Sequence, residues 1–257
     1  MKAIILGAGQ GKRLLPLTEN LPKALLDVAG KSLAEWQIGE LHKCGVTEIV
    51  FVSGFNAAAL AKALAACAPR YPGCTLRCIN NPDYATSDNL VSCWVAREEM
   101  TQEFVLLNGD TLFRAPLFRQ LLASPPGPVT LAVDHKAHYD DDDMKVCLDG
   151  RSLVKIGKTL PAAESHGESI GMILFRGAGP ARFAAALEDA LRHPRATRQW
   201  YLSVIGAMAP SGDVAVEAIT GHDWCEVDYP LDLQRARHLA ASWQEADGEA
   251  LTSATAS

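Results

Sequence analysis

Lys2-Ala3-Ile4-Ile5-Leu6-Gly7-Ala8-Gly9-Gln10-Gly11-Lys12-Arg13-Leu14 is the stretch on which the fold turns. Lys2–Leu6 reads as a buried strand that runs straight into a glycine-rich turn carrying two cations, with Pro22-Lys23 shortly after. Glycines let backbone N–H groups come close to an anion, and Lys12 and Arg13 add full positive charge, so the segment is suited to hold phosphates. Two common glycine motifs fail on spacing. The dinucleotide fingerprint G-x-G-x-x-G would need glycine where Lys12 stands, and the P-loop G-x-x-x-x-G-K-[ST] would need glycine at Leu6 and Ser or Thr at Arg13.

Outward from this turn the first half alternates. Strand-like runs at Lys2–Leu6, Glu48–Ser53, Thr75–Ile79, Phe104–Asn108 and Val129–Asp134 are separated by helical patterns at Leu33–Cys44, Ala57–Ala66, Asn89–Arg97 and Pro116–Ala123. Strands alternating with helices predict an α/β fold, a Rossmann-like mixed and mostly parallel sheet with helices on both faces. Ligands of such sheets bind beyond the C-terminal strand ends, so the N-terminal loop, Gly54, Asn80-Asn81 and Asn108-Gly109-Asp110 are expected on one rim. The second half is less regular. It offers a hairpin from Met144–Leu148 and Ser152–Ile156, a strand at Ser169–Phe175, a helix after Gly179, short strands at Val214–Ala218 and Trp224–Val227, and a closing helix at Leu231–Trp243. The expected organisation is one domain over 1–244, with a first half (1–135) and a second half (136–244), and a disordered tail over 245–257.

Composition narrows the class. The 257 residues are 48% hydrophobic, enough for a sizeable core, and the net charge of −6 argues against a non-specific nucleic-acid binder. No apolar run approaches a membrane span, and the chain opens directly into a strand, so a cytoplasmic enzyme without membrane or nucleic-acid partners is expected. The seven cysteines are scattered without zinc-site spacing and read as reduced thiols. Oligomeric state is not legible, and a homodimer stays open.

Asp110 follows the apolar run Phe104–Leu107 and is placed at a strand end, where a carboxylate can hold a divalent cation; the lesser alternative is a turn aspartate. Glu226 and Asp228 alternate in a short strand and share a face, as candidates for a second metal carboxylate, with a solvated strand end or a cap for the next helix as the alternative.

The N-terminal pattern, L-G-A-G-x-G-K-R-L…P-x-T…P-K, resembles the signature loop of the nucleotidyltransferases that join a nucleoside triphosphate to a phosphorylated small molecule. Gly7 and Lys12 stand here for the usual Ala and Ser/Thr. Asp110 matches that family's first metal ligand, and Glu226-Val227-Asp228 before Pro230-Leu231-Asp232-Leu233 matches its second acidic cluster, so the resemblance spans almost the whole chain. It implies a nucleotide-diphospho-sugar transferase type of fold and Mg2+ held by Asp110, Glu226 and Asp228. It makes Lys23, Arg13 and Asp110 the catalytic groups. Nucleotide contacts follow from Leu6, Ala8, Gly9, Gly11, Lys12, Arg13, Lys23, Ser87, Asn89 and Gly109. A phosphate or phosphonate acceptor is already anionic, so the absence of a Ser-His-Asp or Cys-His set fits the implied chemistry.

Asn81-Pro82-Asp83-Tyr84-Ala85-Thr86-Ser87-Asp88-Asn89-Leu90, Tyr139–Val146, Gly157-Lys158 and Glu168-Ser169-Ile170-Gly171 look like segments of bacterial-type phosphocholine cytidylyltransferases. The resemblance implies CTP as donor and a phosphorylated amino alcohol or an aminophosphonate as acceptor, with Tyr139, Lys145, Lys158, Glu168, Trp200, Tyr201 and Trp224 as acceptor-site candidates. It also assigns nucleotide binding to the first half (1–135) and acceptor binding to the second (136–244). A cationic head group suits carboxylates and aromatic faces. On charge pattern alone Asp140–Asp143 reads first as a solvated loop, and the tryptophans read equally as core. Two rivals stand beside this reading: a sugar-1-phosphate nucleotidyltransferase using UTP, GTP or dTTP, and a catalytically inactive nucleotidyltransferase-like binding module.

Overall fold

The computed structural model describes the chain through residue 255, with side chains through residue 248. In chain order the elements are β1 (Lys2–Leu6), β2 (Asp27–Val28), β3 (Lys31–Ser32), α1 (Leu33–His42), β4 (Glu48–Ser53), α2 (Ala57–Cys67), β5 (Thr75–Asn80), α3 (Asn89–Val95), β6 (Phe104–Asn108), β7 (Thr111–Phe113), α4 (Ala115–Ala123) and β8 (Val129–Asp134). The second half follows with β9 (Lys145–Asp149), β10 (Ser152–Gly157), β11 (Gly167–Phe175), α5 (Gly179–Leu191), α6 (Tyr201–Met208), β12 (Val214–Ala218), β13 (Trp224–Glu226) and α7 (Pro230–Thr255).

Nine strands form one mixed sheet in the order β5-β4-β1-β6-β11-β8-β12-β10-β9. The first four are parallel, with Leu6 level with Val52 and Asn108 and Ser53 level with Asn80, so their C-terminal ends form the expected rim. β8 does not join this parallel set directly. The long strand β11 lies antiparallel between it and β6, which places residues of the second half beside the rim.

Strand alternation divides the core. Ile4, Leu106 and Phe104 pack on one face with Phe175, Phe183 and Tyr201, where Phe104 stacks on Phe175 at 4.5 Å between centroids. Ala3, Ile5, Val105 and Leu107 pack on the other against Phe51, Ile38 and Phe118. A third cluster joins Leu14, Leu26 and Trp36 to Val227, Leu233 and Trp243. It clamps the N-terminal loop against the C-terminal helix and so carries the cationic loop to the acidic stretch, which lies more than two hundred residues downstream.

Two features differ from the sequence reading. α6 fills Tyr201–Met208, where no helix is predicted. α7 runs to Thr255, across most of the expected disordered tail; Asp247 anchors it to Arg114 at 2.6 Å and to Lys43 at 3.7 Å, while 256–257 lie outside the described residues. Among the described residues no helix is long and apolar enough to cross a membrane.

Candidate active site

The site starts from the glycine loop. Gly7 N donates to Val52 O at 3.0 Å, and Phe55 N donates to Ala8 O at 3.0 Å, so the loop leaves β1 tied to the neighbouring strand end. Gly11 adopts a φ of +73°, a left-handed conformation that favours glycine, and a Cβ there would press on the Lys23 side chain at 3.1 Å. Thr18, fully buried, donates its hydroxyl to Gly11 O at 2.8 Å, which explains the threonine of the P-x-T segment. The loop thus folds back so that Lys23 lies along it.

The Lys23 ammonium joins the two acidic segments. It donates to Asp110 Oδ2 at 2.8 Å and to Asp228 Oδ1 at 2.6 Å, with its side chain only 12% exposed. Burial opposes its charge, but the carboxylates of Asp110 and Asp228 outweigh this and raise its pKa above the ordinary lysine value. Arg13 Nη1 lies 3.6 Å from both Asp228 and Asp142, and its guanidinium stacks over the Tyr229 ring at 5.0 Å. Lys12 is exposed at the start of a short 3-10 turn.

The Asp110 turn is held from within. Gly109 N donates to Leu6 O at 3.0 Å, and the fully buried Gln37 of α1 donates its amide to Asn108 O and Thr111 O, both at 2.9 Å. β13 pairs with β7, setting Glu226 opposite Thr111, and Val227 N donates to Asp110 O at 3.1 Å. Cys225 and Val227 are buried while Glu226 and Asp228 share the cleft side, as strand alternation predicts. Burial, then the charges of Asp110 and Asp228, push Glu226 up to about 8.

A divalent cation fits this arrangement on two counts. Asp110 Oδ1 is buried without a hydrogen-bond partner, and the two carboxylates of Asp110 and Asp228 share the single Lys23 ammonium between them, with the Glu226 carboxyl beside them. The three expected ligands do not form a ready-made cage: among the described residues no group of three or more acidic, His or Cys side chains converges to hold a metal, and Asp110 and Asp228 converge on the ammonium instead.

Beside this lies a cleft of about 590 Å3, lined among others by Asp134, Lys136, Asp140–Asp143, Glu168, Trp224, Tyr229 and Arg235. Asp140, Asp141 and Asp142 are exposed in a loop, as the charge pattern suggests, and the run is tied down by specific contacts. Asp140 Oδ1 accepts from the Asp142 and Asp143 amides, Asp142 pairs with Lys158 at 3.2 Å and accepts from the Tyr229 hydroxyl at 3.1 Å, and Lys136 bridges Asp143 (2.7 Å) and Glu168 (2.9 Å). Burial, together with the neighbouring Asp143 carboxyl, raises Glu168 to about 7 despite Lys136.

The expected acceptor residues divide. Glu168 and Trp224 line the cleft, and Trp224 Nε1 donates to Asp134 Oδ2 at 2.8 Å. Lys158 sits over the exposed Trp200 ring at 4.9 Å and reaches the cleft through Asp142. Lys145 is buried and spends its ammonium on Asp140 O, closing the acidic loop. Tyr139 is half-buried and is not among the cleft's lining residues. Tyr201 is no wall: it is fully buried in the core. Of the expected base contacts, Ser87 turns its hydroxyl back to Asp83 O at 2.8 Å, and Asn89 Oδ1 accepts from Tyr201 N at 2.9 Å. Sequence reasoning missed Lys136, Tyr229 and Gln37. The first two stand beside noted acidic runs, whereas nothing in its own neighbourhood marks Gln37.

Residues 3–249 match the MobA-like NTP transferase domain. The chain is 29% identical over 242 residues to CMP-5'-(3-aminopropyl)phosphonate synthase of Streptomyces rubellomurinus, covering 92% of this chain and 38% of that protein. It is 37% identical over 114 residues to choline-phosphate cytidylyltransferase of Streptococcus pneumoniae, covering 44% of this chain and 47% of that one. The matched regions thus span less than half the length of both relatives. Among solved structures, the inositol-1-phosphate CTP transferase from T. maritima superimposes with a TM-score of 0.78 at 22% identity, over 93% of this chain and 94% of that one, a likeness of fold. The cationic loop, the acidic segments and the surrounding sheet therefore belong to one matched unit, and the chain is a member of the MobA-like NTP transferase domain family.

Proposed function

We propose that this chain is a cytidylyltransferase, which transfers CMP from CTP to a phosphorylated amino alcohol or an aminophosphonate and releases pyrophosphate. The observation that carries the proposal is the Lys23 ammonium set between Asp110 and Asp228 at the rim where the glycine loop ends. The names of the two curated relatives support cytidylyl transfer and a phosphonate or phosphocholine-like acceptor.

An oxygen of the anionic acceptor attacks the α-phosphorus of the triphosphate, one P–O bond forms, and the bond to pyrophosphate breaks. The attacking oxygen carries no proton to remove, so the protein's task is to bring anions together and neutralise charge. Lys23 serves the α-phosphate and the incoming oxyanion, while Arg13 and Lys12 serve the β- and γ-phosphates. Asp110 and Asp228, with Glu226 behind them, are the groups that would hold magnesium, whose chemistry there is neutralisation of phosphate charge. The acid-rich cleft of Asp134, Asp143 and Glu168 with Trp224 and Tyr229 suits a cationic amine on the acceptor.

The test is a pyrophosphate-release screen of CTP, UTP, GTP and dTTP against phosphocholine, 2-aminoethylphosphonate and a hexose 1-phosphate. Turnover with CTP and an amino acceptor supports the proposal. Turnover confined to a sugar phosphate with another triphosphate overturns it.

A further inference from the structure

Tyr201 is a core residue with polar work at both ends. Its ring is fully buried, its hydroxyl donates to Asn108 Oδ1 at 3.0 Å, and its backbone N–H donates to Asn89 Oδ1 at 2.9 Å. The segment before it is bonded to the same loop, since Asp88 N donates to Thr197 O at 2.8 Å and Leu90 N donates to Gln199 O at 3.3 Å. On the other side, Asn108 leads into the Gly109–Asp110 turn, which is bonded to Leu6 of the glycine loop. The position of the Asn108 amide is itself built in: it occupies the space a Cβ on Gly171 would fill. Burial raises the Tyr201 pKa well above its ordinary value, so the phenol keeps the proton that it donates to Asn108.

We infer that Tyr201 is a positioning residue that couples the Ser87–Asn89 loop to the Asp110 turn, so that the two segments flanking the triphosphate site move as one body. This deepens the proposed function and rests on it for the identity of the ligand. A phenylalanine would fill the core equally well and would not need the Asn108 contact. The tyrosine hydroxyl therefore adds a specific link between the two segments that packing alone would not supply.

The experiment is Tyr201→Phe, which keeps the ring and removes one hydroxyl. In steady-state assays we expect kcat/KM for CTP to fall about tenfold, the scale of one buried hydrogen bond, with KM for the acceptor unchanged and a Tm within a few degrees of the parent. A change in acceptor KM alone would tie Tyr201 to the acceptor side and not to the triphosphate segments, and unchanged kinetics would remove its role; either result overturns the inference. Hydrogen–deuterium exchange on the ligand-free protein gives a second readout that needs no turnover. Faster exchange in both 87–91 and 108–111 supports the coupling, whereas faster exchange confined to 201–208 overturns it. Failure of the proposed function shows separately, as a parent protein that releases no pyrophosphate from CTP.

Discussion

Replacing Lys23 by methionine removes the one cation held between Asp110 and Asp228 while preserving most of the side chain's volume. In the folded protein this leaves Asp110, Glu226 and Asp228 facing one another without their central counter-charge. Breaking a buried ion pair by removing one partner costs about 3–5 kcal/mol. Two features reduce that here. The Asp228 side chain is 36% exposed and so partly screened, and Glu226, pushed up to about 8, retains its proton at neutral pH. A loss of about 2 kcal/mol is therefore expected, which for a chain of this size lowers Tm by about 4–8 °C. In the proposed reaction the ammonium acts where charge develops in the transition state, so the effect on turnover is larger: a loss of about 100- to 1,000-fold in kcat is expected. The assay is pyrophosphate release from CTP alongside thermal unfolding, with and without magnesium. Magnesium is expected to restore more of the Tm in Lys23→Met than it adds to the parent, because Asp110 loses its cationic partner and Asp228 keeps only Arg13, at 3.6 Å. A folded Lys23→Met protein with near-parental turnover would refute the reasoning.

Further expectations concern other parts of the molecule. Glu168 is neutral below about 7 and ionised above it, so KM for a cationic acceptor should fall as pH rises from 6 to 8, and Glu168→Gln should flatten that profile. Hydrogen bonds from Arg77, aided by Lys2, hold Glu99 down at about 2, so its contribution to stability is complete above 4.5 and is lost as pH falls through about 2. Glu99→Gln should accordingly lower Tm at pH 7 by about 2–6 °C and leave little difference near pH 2, as followed by thermal melts across that range. Gln37→Leu leaves the Asn108 and Thr111 carbonyls without their donor, at a cost of about 1–3 kcal/mol, and should reduce kcat more than it raises KM for the acceptor.

The parallel half of the fold was legible because its strands alternate with helical patterns, and β1, β4 and β6 are short apolar runs. The cationic loop and both acidic segments meet as the resemblance implied. The second half was harder to read. β11 is buried along its whole length and lies antiparallel between β6 and β8, an insertion that local periodicity does not encode. Tyr201 shows the same limit at the level of one residue. Next to Trp200 it reads as an acceptor wall, and only the tertiary packing that buries its ring and brings its hydroxyl to Asn108 places it in the core. The aspartate run is an exposed loop over its first three residues, as its charge pattern suggests, but its contacts with Lys136, Lys145 and Lys158, spread over more than twenty residues of sequence, are tertiary and not legible locally. The tail expected to be disordered continued α7 because Asp247 meets Arg114 and Lys43, which its own composition does not reveal.

The central claim is that the glycine loop and the acidic segments enclose one triphosphate between them. Crystals of the protein soaked with CTP and magnesium test it most directly. The account predicts density for the triphosphate running from Arg13 past Lys23, with the cation bound by Asp110 and Asp228; a nucleotide bound away from these residues in a catalytically competent protein would contradict it.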